Sequence, residues 1–357
     1  MDVLAPLMIP ENADVDTYIY VQGGHFLPKV KPYVPKLKAA KGGELLKMGT
    51  KFRDRYYIQG LIGRGGYGQI YYGIDTRSYE EIAIKTEPTR RRGCSSRRMF
   101  LEQRVLYRLQ GRPHVPTMLA SGHTEKINFI MMQLLSVNVG DLKKQSPVKR
   151  LSRTTTARII LQGVAALRDV HSAGFLHRDV KPANMCFGIT QFSRHVLKLV
   201  DYGLVRRYKN ADGTIRKPRT RPGFRGTLRY VSVRVHDRME QCPADDLVSM
   251  VYSGVECLLV DLPWKLYPSD EYRRSKLEFQ SSDSPYLALT GVEYCEFSRA
   301  VFSLNLGEEP DYGALQALLT EMVGDKLMTD AYDWEENYRE CIETSPCNDA
   351  NFAINMF

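Results

Sequence analysis

The apolar positions of this chain change their period partway along it. From Tyr56, YYIQGLIG and QIYYGID carry β-branched and aromatic residues in short runs on either side of a glycine-rich turn, the pattern of two paired strands. EEIAIKTEP adds a third run, whose alternation turns Ile82 and Ile84 to one face and Ala83 and Lys85 to the other. RRMFLEQRVLYRLQG then spaces Met99, Phe100, Leu101, Val105, Leu106 and Leu109 as a helix does, closed by Gly111 and Pro113, and NFIMMQLL returns to strand. Beyond it the period is helical. TTTARIILQGVAALRDVHSAG has an apolar stripe through Ile159, Ile160, Val164 and Leu167, with a cap candidate in Thr154 or Thr155. Short strands in NMCFG and VLKLVDYG, a long basic loop and two or three more helices follow. The expected fold is α+β and bilobal: a small β-rich lobe with one main helix over about 51–135 and a larger, mainly helical lobe over about 136–337. Residues 1–50, rich in Pro, Lys and Gly without a sustained period, read as a largely flexible extension, and 338–357 as a tail.

Composition adds bounds to this outline. The 357 residues are 43% hydrophobic and 25% charged, ordinary for a globular chain. No run approaches the roughly 18 apolar residues that span a bilayer, and MDVLAPLMIPENADVD has no basic region ahead of an apolar core. A non-secreted, cytoplasmic and/or nuclear protein without a membrane partner is expected. The seven cysteines are scattered and never form a CxxC pair, which argues against a disulfide framework and a zinc site. A net charge of +9 points to anionic partners without choosing among them.

GRGGYG at 63–68 fits G-x-G-x-x-G, in which Gly63, Gly65 and Gly68 let backbone lie against a polyphosphate; alone it could equally be a hairpin turn. Its place between two strands argues against a dinucleotide fold. Lys85 alone reads as an edge-strand charge and Glu102 as a solvent-facing helix charge. HRDVKPAN at 177–184 changes that balance. Asp179 can accept or orient a hydroxyl proton, Lys181 can neutralise charge building on a phosphate, and Asn184 is a neutral oxygen ligand for a divalent cation. Asp201, at the end of VLKLV, offers the hard carboxylate oxygen that magnesium takes. His177 reads as a core histidine that fixes backbone.

Taken in order, GRGGYGQI, IAIK, Glu102, HRDVKPAN and DYG resemble a eukaryotic protein kinase. LQGRPHVP, FIMMQLL, GFLHRDVKPAN, PGFRGTLRYVSV, the pair Asp245 and Asp246 before Leu247, and DLPW resemble the casein-kinase-one superfamily, closest to its tau-tubulin kinase branch. The resemblance runs from about residue 51 to DWEE at 333–336 and implies the bilobal protein-kinase fold. It implies that Gly63 to Gly68, Gly66 included, cover the ATP phosphates, with Ile70 under the adenine and Ile62 and Ala83 among the nucleotide contacts. Lys85 would hold the α and β phosphates and pair with Glu102; Asp179 would be the catalytic base, Lys181 would contact the γ phosphate, and Asn184 with Asp201 would hold Mg2+. Met132 aligns with the gatekeeper, Gln133 to Leu135 with the hinge, and Asp246 would brace the catalytic loop from below.

The departures are DYG for DFG, whose extra hydroxyl needs a partner if buried; Val248 in place of the family's Trp; and Ser232–Val233–Arg234 where the family has SVN or SIN. Of two basic clusters, TRRRGCSSRR at 89–98 reads as a solvated loop. In the other, between DYG and GTLRY, Arg206 to Arg219 read as solvated loop, while Arg178, Arg225 and Arg229, with Arg221 as an outside candidate, would form a substrate anion site. The expected protein is a serine/threonine kinase using ATP and Mg2+, constitutively active on acidic or phosphoprimed proteins and monomeric. The competing reading is a catalytically weak pseudokinase scaffold. A nucleic-acid partner is not expected, because no base-stacking or groove-reading element accompanies the charge.

Overall fold

Strand pairing dominates the first third of the chain, as its two-residue period requires. The structure is a computed structural model that describes residues 18–21, 25–28, 33–39, 43–65, 68–91, 94–95, 98–305 and 307–344. β1 (Tyr18–Val21) and β2 (His25–Pro28) pair with each other. β3 (Lys51–Phe52), β4 (Tyr56–Arg64), β5 (Gln69–Asp75) and β6 (Glu81–Pro88) are followed by a small hairpin, β7 (Arg90–Arg91) and β8 (Cys94–Ser95), then by α1 (Arg98–Leu109), β9 (Met118–His123) and β10 (Ile127–Gln133). The antiparallel sheet has the order β3-β4-β5-β6-β10-β9. Ile82 and Ile84 face the same core as Ile58, Leu61, Tyr71, Phe129 and Met131, so Ala83 and Lys85 take the other face.

On α1, Met99, Val105, Leu106 and Leu109 are buried against Ile130, Val170 and Tyr202. The expected stripe needs correction at Phe100 and Leu101. Phe100 is 59% exposed and Leu101 is also exposed, because steps of 100° per residue carry positions 100 and 101 away from the face shared by 99, 102, 106 and 109. Glu102 takes the inward place they do not.

Both lobe boundaries also move outward. Residues 43–50 belong to the small lobe: Leu46 is in its core, the Leu45 and Leu46 amides donate to the Tyr71 hydroxyl (2.8 and 3.1 Å), and Gln69 Nε2 donates to the Gly43 carbonyl (2.9 Å). At the other end Tyr338 and Cys341 are in the large-lobe core, with the Tyr338 hydroxyl donating to Leu142 O (2.8 Å).

The large lobe is built of α2 (Val139–Gln145), α3 (Arg153–Ser172), α4 (Val233–His236), α5 (Pro243–Leu258), α6 (Tyr272–Gln280), α7 (Pro285–Ala288), α8 (Val292–Phe302), α9 (Tyr312–Val323) and α10 (Arg339–Glu343). The short strands β11 (Phe175–Leu176), β12 (Met185–Phe187), β13 (Leu197–Leu199) and β14 (Arg206–Arg207) pair as β11–β14 and β12–β13 on its upper surface. α3 starts at Arg153, ahead of both cap candidates, Thr154 and Thr155. Its cap is Ser152, whose hydroxyl accepts from the Thr155 amide (3.1 Å) and donates to Asp333 Oδ1 (2.7 Å), a tertiary contact that outweighs the local alternatives. α5 is buried along its whole length, Val248 included. No helix among the described residues is long and apolar enough to cross a membrane.

Candidate active site

The small-lobe sheet and α1 meet the large lobe at an ionic contact in which Glu102 is buried, Lys85 partly buried and Asp201 exposed. Lys85, on the cleft face of β6, places Nζ 2.7 and 2.8 Å from the carboxylate oxygens of Glu102 and 2.8 Å from Asp201 Oδ1. Glu102 is 3% exposed, and α1 delivers it from the face that packs on the sheet. The charges set one another. The Lys85 ammonium holds the Asp201 carboxyl far below its ordinary value, and the two carboxylates raise Lys85 against the pull of burial. Burial pushes Glu102 up, partly countered by Lys85. Asp201 sits at φ 65°, the left-handed region, where a side chain is held only if its surroundings insist; its carboxylate also accepts from the Gly203 amide.

The segment 177–184 leaves β11 and is pinned from below. Asp246, near the start of α5, accepts from the His177 amide at Oδ2 (2.8 Å) and from the Arg178 amide at Oδ1 (2.7 Å), and His171 Nε2 lies 2.9 Å from Oδ2. Arg178 is itself at φ 67°. His177 is buried and its pKa lowered by that burial, so it is neutral: Nδ1 accepts from the Asp179 amide (3.3 Å) and Nε2 donates to Val200 O (3.1 Å). Above this brace Asp179 is the centre of a compact network. Lys181 Nζ lies 2.7 Å from Asp179 Oδ2, the Thr227 hydroxyl donates to Oδ1 (2.6 Å), and Asn184 Nδ2 donates to the Asp179 carbonyl (2.8 Å). Lys181 also donates to the Thr227 oxygen (2.8 Å).

Around the rest of the cleft, Gly63 and Gly68 flank the turn between β4 and β5, with the Gly65 amide donating to Gly68 O (3.0 Å). At Gly68 a β-carbon would lie 2.1 Å from the Thr86 carbonyl, so the sheet itself demands glycine; at Gly65 the space is open. Gly66 lies outside the described residues, as do 92–93 and 96–97 of the first basic cluster. Ile62 is on β4, Ile70 on β5, Ala83 on β6, Met132 and Gln133 on β10, and Leu135 two residues beyond it; Met132 packs against the core that α1 shares with Tyr202.

Tyr202, next to Asp201, is 1% exposed and packs edge-on to His177 at 5.1 Å. Among the described residues its hydroxyl finds no hydrogen-bond partner, the need raised by DYG in the sequence.

The basic stretch differs from expectation. Arg229 does not face the other arginines: its guanidinium lies 3.4 Å from Glu256, and its carbonyl accepts from Trp264 Nε1 (2.8 Å). Residues 211–219 are exposed as expected of a solvated loop, yet Arg206, which is partly buried, and Arg219 both pair with Glu240 (2.9 and 2.8 Å). Burial, with the charges of Arg206, Arg219 and Arg225 and against that of Asp246, lowers Arg178 to about 10. Arg178 Nε donates to Leu204 O (2.6 Å); Arg225 and Arg221 are exposed.

Sequence reading missed Thr227, Glu240 and Lys276. Thr227 stands in the quoted GTLRY with nothing local to distinguish it. Lys276, in YRRSKLEFQ, reads as a surface charge yet is fully buried, with Nζ 2.8 and 2.6 Å from the carbonyls of Leu228 and Val231 and 3.2 Å from His236 Nε2.

Residues 56–286 match the family model described as a protein kinase domain. The chain is 41% identical over 295 residues, 82% of its length and 86% of the relative's, to a Caenorhabditis elegans protein assigned to casein kinase I. It is 32% identical over 290 residues to a Dictyostelium discoideum protein named as a serine/threonine-protein kinase, covering 80% of this chain and 58% of that one. It is 29% identical over 286 residues to the Caenorhabditis elegans serine/threonine-protein kinase spe-6, covering 78% and 75%.

Proposed function

The chain belongs to the eukaryotic protein kinase family, as a casein-kinase-I-like serine/threonine kinase, and from that premise we propose which of its residues carry the transfer and which substrates it prefers. Lys85, held by Glu102, orients the α and β phosphates of ATP. Asp179 takes the proton of the substrate hydroxyl as its oxygen bonds to the γ phosphorus and the bond to the β-phosphate oxygen breaks, leaving ADP and a phosphoprotein. Lys181, bound to Asp179 and Thr227, neutralises charge on the phosphoryl group in flight. Asp201 and Asn184 supply two hard oxygens, the number Mg2+ takes from a protein when phosphates and waters complete its shell. Bound there, the ion would screen the phosphate charge. The observation that carries this reading is the Lys85–Glu102 contact at 2.7 Å, joined to Asp201 across the lobes.

Activity without prior phosphorylation follows from Glu240. It supplies internally the anion that pairs with Arg206 and Arg219, the work a phosphate does in loops that must be phosphorylated to order. Four guanidiniums against that one carboxylate leave positive charge for an acidic or phosphoprimed substrate. The free Cys186, Cys242, Cys257, Cys295 and Cys341 favour the reducing cytoplasm or nucleus as its compartment. The test compares matched neutral, acidic and phosphorylated Ser/Thr peptides on wild type, Arg219→Ala and Arg225→Ala. The expected result is a preference that drops by about tenfold in kcat/KM, on the order of one charge-assisted hydrogen bond. Equal preference in all three proteins would sink the substrate reading and leave the kinase intact.

A further inference from the structure

The turn that carries Thr227 is fastened by two side chains that belong to neither the cleft nor the basic stretch. Within the turn, the Thr227 carbonyl accepts from the amides of Tyr230 (2.8 Å) and Val231 (3.2 Å). The Leu228, Arg229 and Val231 carbonyls take side-chain donors instead. Lys276 Nζ lies 2.8 Å from Leu228 O and 2.6 Å from Val231 O, and Trp264 Nε1 donates to Arg229 O (2.8 Å). Both donors are fully buried, Lys276 on α6 and Trp264 in the short helical turn Pro263–Leu266. The amine sits beside the rings of Trp264 and Tyr252, 5.3 and 5.4 Å from their centroids, and those two rings meet edge-on at 4.7 Å. An amine in such surroundings is costly to bury unless its hydrogen bonds are made, and an apolar side chain would fill the place more cheaply. What Lys276 adds is the hold on two carbonyls.

The same turn meets the catalytic segment on its other side. The Thr227 hydroxyl donates to Asp179 Oδ1 (2.6 Å) and accepts from Lys181 Nζ (2.8 Å). Gly226 stands at φ 118°, and a β-carbon there would lie 2.8 Å from the Arg178 carbonyl, so the turn backs on 177–184 with no side chain between them. The path from α6 to Asp179 is therefore short: the Lys276 amine to the Leu228 carbonyl, one residue along the chain to Thr227, and its hydroxyl to the carboxylate.

We infer, on the reading of Asp179 as the base, that Lys276 is a positioning residue for phosphoryl transfer. It touches no reacting atom; it fixes the 227–231 turn where the Thr227 hydroxyl orients Asp179 and Lys181. Trp264 acts on the same turn through Arg229 O. A shift of about 1 Å in a catalytic group can cost on the order of 100-fold in rate, so the loss of this hold belongs in the chemical step. ATP binding is spared, because the nucleotide contacts lie on β4, β5, β6 and β10.

The test is a double-mutant cycle on the full chain, with urea unfolding of each protein beside it. Transfer from Mg-ATP to an acidic Ser/Thr peptide is measured for wild type, Lys276→Met, Trp264→Phe and Thr227→Ala, and for each of the first two variants combined with Thr227→Ala. In Lys276→Met, kcat is expected to fall by about 10–100-fold with KM for ATP within about twofold of wild type, and Trp264→Phe should show the same split with a smaller fall. In the Thr227→Ala background neither substitution should lower kcat further. A merely structural residue would repeat its loss there, and such repetition, or wild-type kcat in both single variants, overturns the inference. Trp264→Phe removes one N–H and keeps a ring in place, so it carries the same test if Lys276→Met does not fold. Wild-type kcat in Thr227→Ala overturns the path through Thr227 and leaves the kinase intact, whereas no transfer by wild type overturns the reading of Asp179 and the inference together.

Discussion

Lys85 and Asp201, one in each lobe, are joined by a single contact of 2.8 Å, and Glu102 takes the other side of the same ammonium. The small and large lobes therefore share one ammonium, and how α1 sits on the sheet decides whether Lys85 is in place.

Removing the charge of Glu102 tests that dependence. Glu102→Gln keeps the shape but loses most of the attraction that holds the ammonium, so kcat/KM should drop by about 10–100-fold, or roughly 1.4–3 kcal/mol, with the fold retained. Steady-state kinetics beside a circular-dichroism melt checks this.

Asp246 serves two adjacent amides and His171 with two oxygens. Asp246→Asn leaves one of those oxygens as an NH2 group facing donors. Urea unfolding should show a loss of about 3 kcal/mol, with a fall in kcat larger than any change in KM for ATP, because Arg178 and Asp179 lose their support.

Tyr202→Phe should act in the opposite direction. Deleting a buried hydroxyl that has no partner among the described residues removes its desolvation cost, so stability should rise by about 1 kcal/mol in the same urea experiment while activity is kept.

Lys276 predicts a pH dependence. Burial lowers its pKa to about 6, so near neutrality the amine is uncharged: its two N–H groups donate to Leu228 and Val231, and its lone pair accepts from His236, which burial and the Lys276 charge likewise lower, to about 4. Unfolding returns the amine to its ordinary value of 10.5, where it takes up a proton. Between about 6 and that value the unfolded chain binds more protons, and folding stability rises with pH. Thermal melts from pH 6 to 9 should show that rise in wild type and a flatter profile in Lys276→Met.

What sequence could and could not reveal divides along these same residues. Asp179, Lys181 and Asn184 stand together in the single stretch 177–184, whereas Lys85 and Asp201 lie on other elements, so in the sequence only the order of the motifs joins them into one candidate set. Alternation in IAIK places Ile82 and Ile84 in the core because a strand has only two faces. Phe100 and Leu101 mislead because hydrophobicity alone does not fix which side of α1 faces inward when Glu102 must be there. Ser152 caps α3 because Asp333 meets it from across the chain, and Glu240 pairs with Arg206 and Arg219 from a different segment. Lys276 reads as a surface residue because its neighbours in sequence are charged; only the folded lobe brings two carbonyls and a histidine to its amine.

The most direct measurement of the central claim is transfer of labelled phosphate from Mg-ATP to an acidic Ser/Thr protein by wild type, Lys85→Met and Asp201→Asn. The account predicts incorporation on Ser or Thr by wild type and a loss of about a thousandfold in each variant, the scale of removing a preorganised charge from the transition state. Equal incorporation by all three proteins would contradict it.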